Sequence, residues 1–125
     1  FVVFTGGEPL LQVDAPLVEA MHEVGFEVAV ETNGTIRAPA GIDWICVSPK
    51  SGTTLRQAEG HELKVVVPQD GLDFEALESM NFTSFFVQPM DGDKYESNCR
   101  LAIQLCLTRP KWRMSTQVHK HLGIA

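Results

Sequence analysis

Five apolar runs in this chain stop in the same way. They lead into Thr5-Gly6-Gly7-Glu8-Pro9, Glu31-Thr32-Asn33-Gly34-Thr35, Ser48-Pro49-Lys50, Val67-Pro68-Gln69-Asp70 and Gln88-Pro89-Met90-Asp91. Each ending is small or polar, and four of the five contain proline. Helical stretches alternate with the runs. Strand–helix–strand alternation with near-continuous apolar strands implies an α/β fold with a mostly parallel sheet covered by helices. Right-handed crossovers then bring every strand C-terminus to one edge. That edge is where α/β proteins bind ligands.

Read along the chain, residues 1–4 form a buried strand. Residues 27–34, 44–50, 62–70 and 84–92 form four more. Helical spacing of Leu17, Val18, Met21 and Val24 predicts a helix from Pro16 to Val24, stopped by Gly25. Residues 74–80 read as a short helix and 95–107 as the longest. Residues 112–119 read as a last strand or extended segment. The polar stretch 49–61 reads as a surface loop. No linker or repeat divides residues 1–125, so one domain is expected.

Composition narrows the function classes. A net charge of -6 over 125 residues argues against general affinity for nucleic-acid backbone or anionic membrane. No apolar run is long enough to span a bilayer as a helix. Cys46, Cys99 and Cys106 are odd in number and scattered, which reads as reduced thiols of a cytoplasmic protein. Phe1 lies inside a strand pattern without a preceding Met, which reads as a piece of a longer protein.

A rim built from these five endings is rich in hydrogen-bonding groups and exposed backbone. It suits an extended, polar, charged ligand. Taken singly, each signal has a plainer reading. Gly6-Gly7 fits a tight turn, Pro49, Pro68 and Pro89 fit strand terminators, and Lys50 fits a solvated lysine. Asp91-Gly92 and Thr32-Asn33-Gly34 are turn chemistry. Cys99 and Cys106 lie seven apart on one helix and read as core packing. His119 and His121 flank Lys120, and no Cys or His spacing resembles a metal site.

The combination is more specific than its parts. TGGEPLLQ, ETNGT, DWICVSPK, ELKVVVPQD, FFVQPMDG and QVHKHLGIA, in this order, resemble the 7-carboxy-7-deazaguanine synthases of queuosine biosynthesis. These belong to the radical S-adenosylmethionine (SAM) superfamily. The resemblance runs from Phe1 to Ala125. It implies a partial (β/α) barrel of the radical SAM type, with the first strand missing here. It implies that reduced [4Fe-4S] cluster splits SAM. The resulting radical removes hydrogen from 6-carboxy-5,6,7,8-tetrahydropterin, and ring contraction yields 7-carboxy-7-deazaguanine with magnesium assisting.

Carried over residue by residue, the resemblance implies SAM contacts at Gly6, Gly7 and Glu8, at Ser48, Pro49 and Lys50, and at Gln88, Pro89, Met90 and Asp91. Backbone carbonyls and a carboxylate suit the methionyl amino group, and glycines let the backbone come close. A hydroxyl and a cation suit the ligand's carboxylate and ribose. Thr5, His119 and the C-terminal carboxylate of Ala125 match substrate-side positions. The family's CxxxCxxC-like loop and its magnesium-binding threonine precede the GGEP segment. Without them the chain is expected to bind no cluster or metal, to hold no catalytic residue and to be inactive alone. A homodimer or higher oligomer is expected through an apolar sheet edge at residues 1–4. A flavodoxin-type reductant is implied for the full-length enzyme.

Two other readings share part of these signals. One is another radical SAM enzyme, such as a glycyl-radical activase, which shares GGEP and TNG. The other is a non-catalytic α/β domain that binds a partner or nucleotide.

Overall fold

The structure, a computed structural model, describes residues 1–124. Its elements run β1 (Val2–Phe4), α1 (Ala15–Glu23), β2 (Val28–Thr32), β3 (Trp44–Val47), β4 (Glu59–Val67), α2 (Phe74–Glu78), β5 (Asn81–Pro89), α3 (Tyr95–Thr108), β6 (Trp112–Met114) and α4 (Val118–His121). A 3-10 turn at Pro9–Leu11 follows β1. The six strands form one sheet in the order β1-β2-β3-β4-β5-β6, and every pairing is parallel. Sequential order with parallel pairing places all six strand C-termini on one edge, as the alternation required.

Local chemistry sets the helix ends. Asp14 caps α1 by accepting from the Leu17 N–H at 3.0 Å, and Pro16 sits in its first turn. Gly25, at φ +87°, ends it in the left-handed region that glycine reaches without a Cβ clash. Asp73 caps α2 through the N–H groups of Glu75 and Ala76, both at 3.0 Å.

Register decides the two faces of the sheet. Val28 and Val30 of β2, Val47 of β3, Leu63, Val65 and Val67 of β4 and Phe85 and Val87 of β5 share one face and are buried. There α1 packs Val18 onto Val28 and Val30, while α2 and α3 bring Leu77 and Ala102 against β4, β5 and Trp112 of β6. Ile45 touches both clusters and joins them. Burying each such side chain contributes about 1.5–3 kcal/mol.

The opposite face carries different chemistry. One row across β2–β5 reads Glu31, Cys46, Glu62, Ser84, and the next across β4–β6 reads Lys64, Phe86, Arg113. The expectation of a helix-covered sheet therefore holds for one face only. Among the described residues, α1, α2 and α3 all pack on the Val30–Val65–Val87 side.

Several element bounds also differ from expectation. Both β4 and β5 begin three residues early, at Glu59 and Asn81, because these polar residues pair in the ladder. Residues 1–4 are half-buried rather than buried: Phe1 and Val3 are 68% and 47% exposed. Residues 112–119 are not one extended segment, since β6 stops at Met114 and α4 starts at Val118. Cys99 and Cys106 are both half-buried; Cys106 packs against the larger core, whereas Cys99 interacts with Tyr95. The predicted position of Ala125 lies outside the described residues.

Candidate functional site

A cavity of about 500 Å³ opens at the C-terminal ends of the strands. Thr5, Gly6 and Gly7 enter it after β1, and Ser48 and Lys50 after β3. Lys64 and Val66 face it from β4 and Gln88 from β5. Ser115, Thr116 and Gln117 enter after β6, and His119 from α4. The volume falls in the range of small-molecule sites. Endings separated by more than 100 residues of chain thus meet at one place.

Gly6 and Gly7 are distinct in kind. Gly6 adopts φ +121°, which only glycine reaches easily. Gly7 has no such conformation, and a Cβ built on it meets no atom of the described residues within 4 Å. The protein's own packing does not require glycine at position 7. What it leaves is bare backbone facing open space in the cavity wall, suited to a ligand that comes close.

Glu8 braces the protein's own loops. Its Oε1 accepts from the Leu10 N–H at 3.1 Å and the Thr32 hydroxyl at 2.7 Å, and its Oε2 accepts from the Asn33 N–H at 2.8 Å. Both oxygens serve the protein, and Glu8 does not line this cavity. Thr32, 2% exposed, in turn accepts from the Gly34 N–H at 3.0 Å. The carboxylate ties the loop after β1 to the turn after β2.

Of the other predicted residues, the structure gathers Thr5, Gly6, Gly7, Ser48, Lys50, Gln88 and His119, and it sets four apart. Pro49 and Pro89 are buried, and both stand at strand ends. The carbonyl of Met90 accepts from Asn98 Nδ2 at 2.8 Å, which pins the chain behind the cavity. Asp91 forms an ion pair with Lys120 of α4. These two residues belong to QPMDG and QVHK, and their pairing holds the segment that carries His119 beside the exit of β5.

The individually named contacts left out Lys64, Val66, the residues 115–118, and Glu31, which was read only as part of a rim ending. Thr32 and Asn33 entered only as part of the rim ending 31–35, with turn chemistry as the plainer reading, and both line the cavity. Glu31 and Lys64 left one signal, opposite charges within otherwise apolar runs, and the half-buried Lys64 ammonium needs a partner. The two are partners: Lys64 Nζ donates to Glu31 Oε1 at 2.9 Å. Burial disfavours the Lys64 ammonium, but the Glu31 hydrogen bond and neighbouring negative charge outweigh it and raise its pKa above the ordinary lysine value. The cavity floor therefore holds a fixed cation beside a fixed anion.

The cysteines do not converge. Cys46 lies on the open face of β3, while Cys99 and Cys106 lie on α3 across the sheet. Burial pushes the Cys46 thiol up to about 12, so it stays protonated near neutral pH. Among the described residues no group of three His, Cys, Asp or Glu side chains is placed to hold a metal. No helix of the described chain is long and apolar enough to cross a membrane.

Comparison with known proteins gives a consistent pattern. No family model matches the chain. It is 56% identical over 124 residues to the 7-carboxy-7-deazaguanine synthase of Bradyrhizobium diazoefficiens, covering 99% of this chain and 59% of that protein. It is 52% identical over 123 residues to the same-named protein of Caulobacter vibrioides, and 40% identical to that of Bacteroides thetaiotaomicron, of which it covers 64%. The chain thus spans about three-fifths of the length of these curated relatives. The crystal structure of QueE from Escherichia coli superposes with a TM-score of 0.68 at 29% identity, covering 92% of this chain and 55% of that one.

Proposed function

This chain is a relative of the 7-carboxy-7-deazaguanine synthases, matching about three-fifths of their length, and on that premise we propose that its cavity is the ligand-binding wall of a radical SAM enzyme. The observation that carries the proposal is the meeting of Gly6-Gly7, Ser48, Lys50, Gln88 and His119 around one volume. The proposed activity of the whole enzyme converts 6-carboxy-5,6,7,8-tetrahydropterin to 7-carboxy-7-deazaguanine.

The residues present fit S-adenosylmethionine. The bare backbone at Gly7 admits close approach by its methionyl end, and carbonyls there accept from its amino group. The Lys50 ammonium, 3.3 Å from Ser48 Oγ, is a donor for its carboxylate, with the Ser48 hydroxyl beside it. Gln88 offers both donor and acceptor from β5, two strands away across the same sheet edge. When bound, S-adenosylmethionine would supply the hydrogen-abstracting radical chemistry of its superfamily. Thr5 and His119 then face the pterin, and the Glu31–Lys64 pair presents one acceptor and one donor charge on the cavity floor.

The residues present do not fit an iron–sulfur cluster. The cysteines stand on opposite sides of the sheet, and the Cys46 thiol is held protonated. We assign the ligands of the cluster, and of the magnesium ion, to residues outside these 125. The polypeptide alone is then inactive. Reconstitution with iron and sulfide should leave its visible spectrum blank; a stoichiometric cluster would refute this assignment.

Among the described residues β1 pairs with β2 alone, which leaves Phe1 and Val3 exposed. Self-association through it is the proposed oligomeric contact, and light scattering showing a clean monomer at high concentration would rule it out. A cytoplasmic location and a flavodoxin-type reductant complete the proposal for the whole enzyme.

The direct test is binding. S-adenosylmethionine and 6-carboxypterin are titrated into the 15N-labelled chain. Amide shifts at Gly6, Gly7, Lys50 and Gln88 for the first, and at Thr5 and His119 for the second, are the expected result. Shifts elsewhere, or none, would overturn the reading.

A further inference from the structure

Gln69 follows β4 in the stretch Val67-Pro68-Gln69-Asp70, and nothing above gives it a role. It does not line the cavity. Its side-chain amide bridges to the loop that does. Gln69 Nε2 donates to the Pro49 carbonyl at 3.2 Å, and Gln69 Oε1 accepts from the Ser51 N–H at 2.9 Å. One planar amide grips the main chain on both sides of Lys50. The partners fix its orientation, because a flipped amide would set donor against donor and acceptor against acceptor.

The grip stands where the sheet ends. The β3–β4 ladder pairs Cys46 with Glu62 and Val47 with Leu63, and β3 goes no further. Beyond it the chain leaves the sheet, and the Gln69 side chain takes over the bonding that a continued ladder would make. Neighbouring bonds complete the hold. The Ser51 hydroxyl donates to the Asp70 carbonyl at 2.5 Å, and the Lys50 carbonyl accepts from the Thr53 hydroxyl at 2.7 Å. The backbone around Lys50 is held from three directions, while the Lys50 side chain stays exposed and faces the cavity.

We infer that Gln69 is a positioning residue that acts through Lys50, aiming its ammonium at the carboxylate of the nucleoside ligand. The inference rests on the reading of the cavity given above. A surface lysine carries four rotatable bonds, so its value as a ligand contact depends on how firmly its backbone is placed.

The test compares Lys50→Ala, Gln69→Glu, Gln69→Ala and the double variant Lys50→Ala/Gln69→Ala. Affinities for S-adenosylmethionine and 6-carboxypterin are measured beside thermal midpoints. Gln69→Glu keeps the acceptor for the Ser51 N–H but turns an oxygen toward the Pro49 carbonyl. It should weaken S-adenosylmethionine binding by about three- to tenfold, the scale of one broken hydrogen bond. Affinity for 6-carboxypterin should not change. Gln69→Ala supplies the same comparison should the glutamate variant fold poorly. In the Lys50→Ala background Gln69→Ala should add nothing, because a residue acting through Lys50 has no further route to the ligand.

Amide exchange at Ser51 needs no ligand and should quicken in Gln69→Ala while Val65 stays protected. No Lys50→Ala effect, or no binding by the parent chain, overturns the cavity reading and this inference together. A loss in Lys50→Ala with none in either Gln69 variant overturns this inference alone. Equal losses for both ligands would mark Gln69 as merely structural and also overturn it.

Discussion

The Thr32 hydroxyl donates to Glu8 Oε1 at 2.7 Å, joining two loops that are 24 residues apart in the chain. Because Thr32 also receives the Gly34 N–H, the carboxylate is the hub of a relay from the first glycine loop to the second turn. Glu8→Ala would leave the buried Thr32 hydroxyl and the Asn33 N–H without their acceptor. A loss of about 2–3 kcal/mol in unfolding free energy is expected, the cost of stranding such groups. Urea denaturation measures it, and a change below about 0.5 kcal/mol would contradict the relay.

Gly34 is a position where fold rather than ligand demands glycine. Its φ is +78°, and a Cβ there would stand 2.4 Å from Leu55 Cδ1 and 2.7 Å from Val47 Cγ1. Gly34→Ala should cost about 2–4 kcal/mol, combining the left-handed backbone with overpacking. Leu55→Ala in the same chain should remove the Leu55 part of that clash. No partial recovery would show that the clash is not the cause.

Gly7 is its counterpart. A Cβ there meets nothing, so Gly7→Ala should leave the thermal midpoint unchanged. It should still weaken S-adenosylmethionine binding by about tenfold or more, since the methyl would occupy the space of a close-approaching ligand. Paired calorimetry and thermal melts separate the two effects. Unchanged affinity would mean that no ligand comes near this backbone.

Asp43 makes stability depend on acid. Its Oδ2 accepts from the Val28 N–H and pairs with His22 Nε2, both at 2.8 Å. Chiefly through the Val28 bond, and next through His22, its pKa lies below the usual 3.8. A group with a depressed folded pKa contributes its stability above the unfolded value and loses it as pH falls through the folded one. The contribution should be complete above the unfolded value and vanish progressively below 3.8. Asp43→Asn should flatten that acid limb in melts between pH 2 and pH 5, conditions chosen to bracket it; an unchanged limb would exclude Asp43 as its source.

Cys46 should be inert while the chain is folded. With its thiol pushed up to about 12 by burial, almost no thiolate exists near neutral pH. Iodoacetamide followed by peptide mass mapping should label Cys46 only after denaturant is added. Fast labelling in the native state would show that β3 opens locally.

Much of the fold could be read from the amino acids because it is written in local chemistry. Apolar runs broken by Pro and Gly, with capped helical stretches between them, specify parallel strands, and handed crossovers leave one edge for their ends. The meeting of Gly7, Ser48, Lys50 and Gln88 follows from that rule, whereas His119 rides on α4, whose Lys120 pairs with Asp91.

Other features depended on distance relations that no short stretch contains. Glu8 sits next to Gly7, yet its carboxylate turns into the protein to serve Thr32 and Asn33. Asp91 pairs with Lys120, 29 positions later, a partnership that no local pattern announces. Glu31 and Lys64 became a pair only through the strand register that sets them on the same open face. The alternation of apolar and polar runs determined which segments become strands and where they end, because backbone propensity acts over a few residues. Which neighbouring side chain faces the cavity and which braces the loop was decided by tertiary structure, because hydrogen-bond partners are chosen by proximity in space.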